Sequence, residues 1–221
     1  MKKTSMLCLA LALLAGAAQA ATIVQDFDTG IISPGNPTVS AFNVNLFDSS
    51  LGTLTKVTIS MTLNSWGGSY TIENITAPSS LIEGNFHQGV TASLSGMRVP
   101  EGYATLFAGQ TKYASLAETG MTDSLFGPTF AEREVRTTSA DALEAYFALY
   151  QGSGTYVLNM NTYQNNSFDG AGAVRGTYES AQARGFLTVT YEFTPVPEPT
   201  GLALLVFGCA ALGLRRRQVK V

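Results

Sequence analysis

Two aspartates near the start of the chain stand at a spacing that could support carboxylate chemistry. Asp26 and Asp28 are two residues apart in VQDFDTG, and on a β-strand they lie on the same face. A same-face pair suits the two carboxyl groups of a glycosidase or the binding of a hard cation. The alternative is a solvated strand face that runs into a turn, and DFDTG is more typical of that arrangement.

A single histidine limits nucleophilic and zinc chemistry. His87, in EGNFHQG, is the only histidine of the chain, and no serine stands in a G-x-S-x-G context. A serine hydrolase needs a base beside its nucleophile, and a zinc site needs several imidazole or thiolate ligands. The sequence therefore predicts a surface-loop histidine, no catalytic residue, no metal site and no cofactor.

One segment has partial calcium-loop spacing. In NNSFDG, oxygen-bearing side chains alternate at Asn165, Ser167 and Asp169 before Gly170. A calcium loop of the EF-hand kind also needs a bidentate acid at its twelfth position, which here is Gly176. We therefore interpret NNSFDG as a hairpin or long loop between strands.

The only tryptophan offers a candidate sugar contact. NSWGGSY places Trp66 beside two glycines, with Tyr70 close behind it. A ring exposed on a turn can present its apolar face to a sugar. The alternative is that Trp66 folds over a sheet edge as part of the core, since tryptophan is highly buried on average. The sequence favours that second interpretation and leaves the first open.

The charge and the cysteines of the chain are divided unevenly between its body and its ends. Six of the thirteen basic residues lie near the two ends, whereas all sixteen acids lie between Asp26 and Glu198, so the body up to Glu198 has a net charge of about −9. A surface of that sign repels phosphate and argues against a nucleic-acid partner. Both cysteines, Cys8 and Cys209, are also terminal, so the body has no disulfide.

Alternating apolar residues predict the sheets that must position these side chains. TKVTISMTLN and FLTVTYEF each alternate β-branched or apolar residues with Thr, Ser, Asn or Glu, which is typical of half-buried antiparallel strands. Weaker strand patterns are TIVQDF, SAFNVNLFD, SYTIEN, VTASLSGMRV and TYVLNMNTY. Short strands separated by Gly, Asn, Pro and Ser predict one antiparallel β-sandwich or jelly-roll-like domain over residues 21–194.

One segment of the body has helical periodicity instead. In SADALEAYFALYQG, Ser139 is a candidate N-cap and Gly152 a stop. Apolar residues recur between them at helical spacing, at Leu143, Tyr146, Phe147 and Tyr150. We expect one short helix here, packed on the sheets or linking them.

The N-terminus has the pattern of a secretory signal peptide over residues 1–20. Two lysines precede an apolar run, and the small residues Ala18 and Ala20 flank Gln19 in an A-x-A cleavage pattern. We expect signal peptidase to cut before Ala21.

The C-terminus, residues 195–221, combines an extended motif, an apolar run and a basic cluster. Fifteen uncharged residues from Thr200 to Leu214 would form a helix of about 22 Å, which is short against a hydrocarbon core of about 30 Å. The basic cluster Arg215, Arg216 and Arg217 would hold its end on the cytoplasmic side. The prolines before the run keep the chain extended, which suits presentation to a protease. We expect a temporary membrane hold with a cutting point.

In order and composition, this ending resembles the PEP-CTERM sorting signal of Gram-negative bacteria. The resemblance rests on the motif Val196, Pro197, Glu198 and Pro199, followed by the apolar run and the arginine cluster. It implies transient inner-membrane association, cutting by an exosortase-type membrane transpeptidase, and release or transfer to the cell surface or extracellular matrix. FDSSLGTLTKVTISM, GSGTYVLNM and LTVTYEFTPVPEP also resemble the choice-of-anchor group of exported domains, which have no assigned activity.

We therefore expect a non-enzymatic exported protein with a structural or adhesive role. The alternative is a polysaccharide-binding module that uses Trp66 and Tyr70, and a carboxylate-based glycosidase comes third.

Overall fold

The structure is a computed structural model that describes residues 20–34, 37–98, 104–127, 131–139 and 144–196. These residues are mainly in antiparallel strands, which confirms the predicted β-rich class. The strands are β1 (Ala21–Ile32), β2 (Thr38–Asn45), β3 (Gly52–Trp66), β4 (Ser69–Asn74), β5 (Ile82–Ser95), β6 (Ala104–Leu116), β7 (Thr122–Phe126), β8 (Ala131–Ser139), β9 (Thr155–Gly170), β10 (Val174–Glu179) and β11 (Gln182–Pro195).

The strands form three sheets, in which every neighbouring pair of strands is antiparallel. Sheet I has the strand order β1-β11-β3-β8, sheet II has β10-β4-β7, and sheet III has β2-β9-β5-β6. The predicted strands TKVTISMTLN and FLTVTYEF are β3 and β11, which lie side by side in the middle of sheet I. Their apolar residues are buried and the alternating polar ones are half-buried, as the period of two requires.

Sheets I and II follow one another along the same pair of chain segments. Gly67 and Gly68 separate β3 from β4, while two residues separate β10 from β11. The register carries across the break, because Gln182 pairs with Trp66 on one side and Glu179 pairs with Ser69 on the other. We call this break the joint.

Two apolar cores lie on either side of the joint. The larger core combines residues of sheet I, such as Met61 and Leu187, with residues of sheet III, such as Leu158. The smaller core joins Ile72 of sheet II to Phe86 of sheet III. Burying each such side chain contributes about 1.5 to 3 kcal/mol, so sheet III is stabilised against both partner sheets.

The expected short helix is present. Helix α1 spans Glu144–Phe147 and continues as a 3-10 turn over Ala148–Tyr150. Phe147 and Tyr150 are buried in the larger core, so the helix packs on the sheets. The predicted cap is wrong, because Ser139 is the last residue of β8 and pairs with Val57. Leu143 lies outside the described residues.

Sequence patterns did not identify four of the strands, namely β6, β7, β8 and β10. The segment NNSFDG is not a loop, because it forms the second half of β9 and pairs with β5. His87 is likewise in the middle of β5 and not in a loop. Within the described residues, no helix is long and apolar enough to cross a membrane.

Candidate functional site

The two predicted processing sites leave the folded body next to each other. Ala21 is the first residue of β1, and its backbone pairs with Phe193 of β11. Val196 follows the end of β11, is 57% exposed, and its N–H donates to the carbonyl oxygen of Leu51 at 3.0 Å. Ala20 is also exposed. The remaining predicted processing residues lie outside the described residues: Ala18, Pro197, Glu198, Pro199, Arg215, Arg216 and Arg217.

Trp66 is half-buried on the side of β3 that faces away from the core. Its indole Nε1 donates to Gln182 Oε1 at 2.8 Å across the β3 and β11 pair. This hydrogen bond uses the only polar group of the ring and fixes the indole over the sheet. Part of the indole therefore stays accessible, but its N–H already has a partner.

Tyr70 does not accompany Trp66 on that surface. It is 8% exposed and belongs to the smaller core, where its ring centroid is 6.2 Å from that of Phe86. Burial raises the pKa of the Tyr70 phenol. The expectation that Trp66 and Tyr70 form one sugar platform is corrected, because the buried Tyr70 ring has no exposed face to offer.

Asp26 and Asp28 lie on the same exposed side of β1, as their spacing predicted. The Thr188 hydroxyl donates to Asp26 Oδ1 at 2.7 Å. Arg184 Nε donates to Asp28 Oδ1 at 3.0 Å, and Arg184 Nη2 donates to Asp28 Oδ2. The hydrogen bonds from Arg184 hold the pKa of Asp28 below its usual value, against a smaller effect of burial that raises it. A general acid of a glycosidase needs a raised pKa, so this carboxylate is tuned in the opposite direction.

The NNSFDG oxygens do not gather around one point. Asn165, Ser167 and Asp169 follow each other at strand spacing along one side of β9. Among the described residues, no group of three or more His, Cys, Asp or Glu could hold a metal ion.

His87 lies on the side of sheet III that faces away from the cores. Its Nδ1 is 2.8 Å from the Thr111 hydroxyl of the neighbouring strand β6. The imidazole meets the Phe107 ring edge-on, with centroids 6.4 Å apart. Both contacts fix the imidazole against β6.

Phe107 covers a pair of glycines next to His87. Gly89 of β5 and Gly109 of β6 are directly paired across the two strands. Side-chain carbons placed on them would come within 2.9 Å and 2.7 Å of Phe107 ring atoms. The Phe107 ring therefore occupies the space above two residues that have no side chains. An aromatic ring in this position covers the backbone that glycines leave exposed and so stabilises the sheet. It forms an apolar platform at this point of the sheet.

A second aromatic ring stands in the same row of the sheet. Backbone pairing aligns Tyr163 of β9, Thr91 of β5 and Phe107 of β6. Tyr163 is 41% exposed, whereas Thr91 is buried. In the next row, Asn165 Nδ2 donates to the Thr91 hydroxyl at 3.0 Å. The row thus has a short polar residue between two aromatic residues whose strands are about 10 Å apart.

We call this side of sheet III the outer face. The rows around Tyr163 and Phe107 carry amides, hydroxyls and glycines: Asn159, Asn161, Asn165, Ser93, Ser95, Thr105, Thr111, Gly89 and Gly109. The acidic side chains that alternate onto this face from β5 and β9 are Glu83 and Asp169, and both lie toward the smaller core. In the described residues, the middle of the outer face therefore carries no Asp, Glu, Lys or Arg side chain, although the net charge of the body is strongly negative.

Sequence reasoning missed this face because it predicted only parts of its strands. β6 was not predicted, and the second half of β9 was interpreted as a loop. The signal that could have identified the face is the alternation N-x-N-x-Y-x-N from Asn159 to Asn165.

No protein-family model matches the chain, and no curated protein matches it. Among solved structures, the chain has weak similarity to mud crab tombus-like virus, with a TM-score of 0.23, 7% identity and coverage of 84% of this chain and 86% of that one. It also has weak similarity to the Gx strain of infectious bursal disease virus, with a TM-score of 0.20, 10% identity and coverage of 82% of this chain. The match spans 37% of that viral chain. Similarities of this size carry no argument about function.

Proposed function

We propose that this chain is an exported protein of the bacterial cell surface or extracellular matrix, with a structural or adhesive role. In this proposal it leaves the cytoplasm by the secretory route and is held briefly in the inner membrane by its tail. An exosortase-type enzyme then cuts that tail near Val196, Pro197, Glu198 and Pro199. The body is non-enzymatic and acts as one β-sandwich of the jelly-roll kind.

The observation that carries the proposal is the order of segments after the last strand. The proline-rich motif, the apolar run and the arginine cluster follow β11 directly in the sequence. β11 ends at Pro195, immediately before the motif begins. A cut within the motif would remove no residue of either described core.

The placement of the two ends also supports this proposal. Ala21 and Phe193 are backbone partners, so both predicted cutting points emerge from one end of sheet I. A body attached at that end would present its remaining surfaces away from the membrane. The two-layer packing of sheets I and II on sheet III supports the sandwich assignment.

The mass of the protein recovered from the producing bacterium tests this proposal. We expect the chain to begin at Ala21 and to end within the motif, and Glu198→Ala to leave the tail uncut. The control is Glu179→Ala, which removes an exposed acid of β10 and should be processed normally. A mature protein that still contains residues up to Val221, or normal processing of Glu198→Ala, would contradict the proposal.

A second candidate function, polysaccharide binding, is favoured by the accessible aromatic rings. Trp66 retains an accessible part of its indole on sheet I, while Tyr163 and Phe107 stand on an uncharged face. Trp66→Ala should weaken binding to the native matrix polymer if the indole is the contact. Gln182→Ala is the matched control, because it removes the hydrogen-bond partner and keeps the ring.

A further inference from the structure

We propose that the outer face of sheet III binds an uncharged polysaccharide, with the sugar chain lying across the strands along the row Tyr163, Thr91 and Phe107. The proposal deepens the polysaccharide-binding function and assigns it to a site other than Trp66.

The shape of the row suits a linear chain of sugar rings. Thr91 is covered by its neighbours, so the accessible surface of the row comes from Tyr163 and the half-buried Phe107. The two rings belong to β9 and β6, the strands on either side of β5, whose backbones are about 10 Å apart. Each ring offers an apolar surface to one face of a sugar.

The Phe107 ring is held in place before any ligand arrives. It fills the space above Gly89 and Gly109, and the His87 ring meets it edge-on. The His87 ring is itself hydrogen-bonded to Thr111. A ring fixed in this way loses little conformational freedom on binding, which favours affinity.

The polar groups beside the row match the hydroxyl groups of a sugar. Asn161 and Ser93 are paired on one side of the row, and Asn165 stands on the other. Amides and hydroxyls both donate and accept hydrogen bonds, as sugar hydroxyls do. Asn165 is already oriented by its hydrogen bond to Thr91.

Charge decides between ligand classes. Among the described residues of β5, β6 and β9, the outward side chains around the row include no Lys or Arg that could pair with phosphate, sulfate or uronate groups. The apolar groups of the outer face are the two rings together with the exposed Val39 and Val157, and amide and hydroxyl side chains are interspersed among them, unlike the apolar centre that a stable protein interface buries. A neutral sugar polymer is the occupant that fits these properties.

Affinity electrophoresis tests the proposal on the protein recovered from its producing cells. The gels contain hydroxyethyl cellulose, laminarin or dextran as neutral probes, and alginate as the anionic probe. We expect at least one neutral polymer to retard the protein and alginate to have no effect. Tyr163→Ala should weaken that retardation on the order of tenfold, and Asn161→Ala should weaken it less.

The matched control is Tyr178→Ala, which removes an exposed tyrosine of β10 in sheet II and should leave binding unchanged. Phe107→Leu keeps the glycines covered and should also weaken binding, while the thermal midpoint of each variant checks the fold.

Absence of retardation in all neutral polymers, or equal effects of Tyr163→Ala and Tyr178→Ala, overturns the proposal. If Trp66→Ala weakens retardation and Tyr163→Ala does not, the outer face is not the binding site, but the proposal that the protein binds polysaccharide still holds. The cutting of the tail is measured separately by mass, so neither result depends on the other.

Discussion

Gln88 of sheet III is hydrogen-bonded across the interior to Gly67 at the joint. Its Nε2 donates to the Gly67 carbonyl oxygen at 3.2 Å. Gln164, on the neighbouring strand, makes the equivalent contact on the other side, where its Oε1 accepts from the backbone N–H of Ala181 at 2.8 Å. Sheet III thus satisfies backbone groups that the sheet ladders leave free where sheet I passes into sheet II.

The joint requires a glycine at position 127. A side-chain carbon on Gly127 would lie 1.8 Å from the Gly67 carbonyl oxygen, which belongs to the backbone and cannot move aside. We expect Gly127→Ala to lower the free energy of unfolding by about 2 to 3 kcal/mol. Urea denaturation followed by circular dichroism measures the change.

The control for this prediction is Gly120→Ala. Gly120 has φ of +87° but no atom within 4 Å of the added carbon, so only backbone strain of about 1 kcal/mol is expected. If Gly120→Ala proves as damaging as Gly127→Ala, the steric account of the joint is wrong.

The joint also explains why sequence patterns identified some strands and not others. β3 and β11 alternate cleanly because their inward residues face only the larger core. β5 and β9 pass from one core to the other, and their inward residues at the crossing are Gln88, Gln164 and Asn166. These polar residues interrupt the alternation of apolar residues with a period of two. The sequence pattern of NNSFDG therefore indicated a loop, although this segment continues β9.

The candidate surface was only partly predictable for a different reason. Asp26 and Asp28 share a face because strand geometry fixes that relation locally. The row of Tyr163 and Phe107 instead joins residues more than fifty positions apart through the register of β9, β5 and β6. No local pattern encodes that register, so the pairing of the two rings emerges only from the folded sheet.

Two buried tyrosines should respond differently to loss of their hydroxyl groups. The Tyr191 hydroxyl donates to the Asn45 carbonyl oxygen at 2.9 Å, whereas the nearby Tyr156 hydroxyl makes no hydrogen bond among the described residues. Tyr191→Phe should cost about 1 kcal/mol, because it removes this hydrogen bond while Gln25 Nε2 still donates to the same carbonyl oxygen at 3.0 Å. Tyr156→Phe should be close to neutral. Equal losses in urea denaturation would contradict this distinction.

The same two phenols make stability fall at high pH. Burial raises the pKa of Tyr191 to about 12 and raises that of Tyr156 further. An unfolded chain ionises its tyrosines near pH 10, so their contribution is fully present below pH 10 and is lost as pH rises through about 12. Double replacement by phenylalanine should flatten this loss between pH 10 and 12, as measured by thermal midpoints. If the double variant loses stability between pH 10 and 12 as steeply as the wild type, these phenols are not the cause.

The Asp28 and Arg184 ion pair should act at low pH. Its hydrogen bonds lower the pKa of Asp28, so its contribution is present above about pH 4 and is lost as pH falls through the lowered value. Asp28→Asn should reduce the thermal midpoint slightly at pH 7, and the difference from wild type should vanish at the acidic end. Arg184→Gln should reproduce this profile. A difference that persists unchanged at pH 2 would exclude the ion pair as its cause.

The end of β11 sets the shortest chain that can keep the fold. Phe193 is buried, with its ring centroid 5.1 Å from that of Phe47, and Val196 makes the last described backbone hydrogen bond. A chain that ends after Val196 should therefore unfold at the same urea concentration as the longer protein. A chain that ends after Glu192 should lose about 3 to 5 kcal/mol, because the aromatic contact disappears and β1 loses its partner at Ala21. If the chain that ends after Val196 instead unfolds at a lower urea concentration than the longer protein, residues beyond Val196 stabilise the body. Removing the tail would then damage the protein that it delivers.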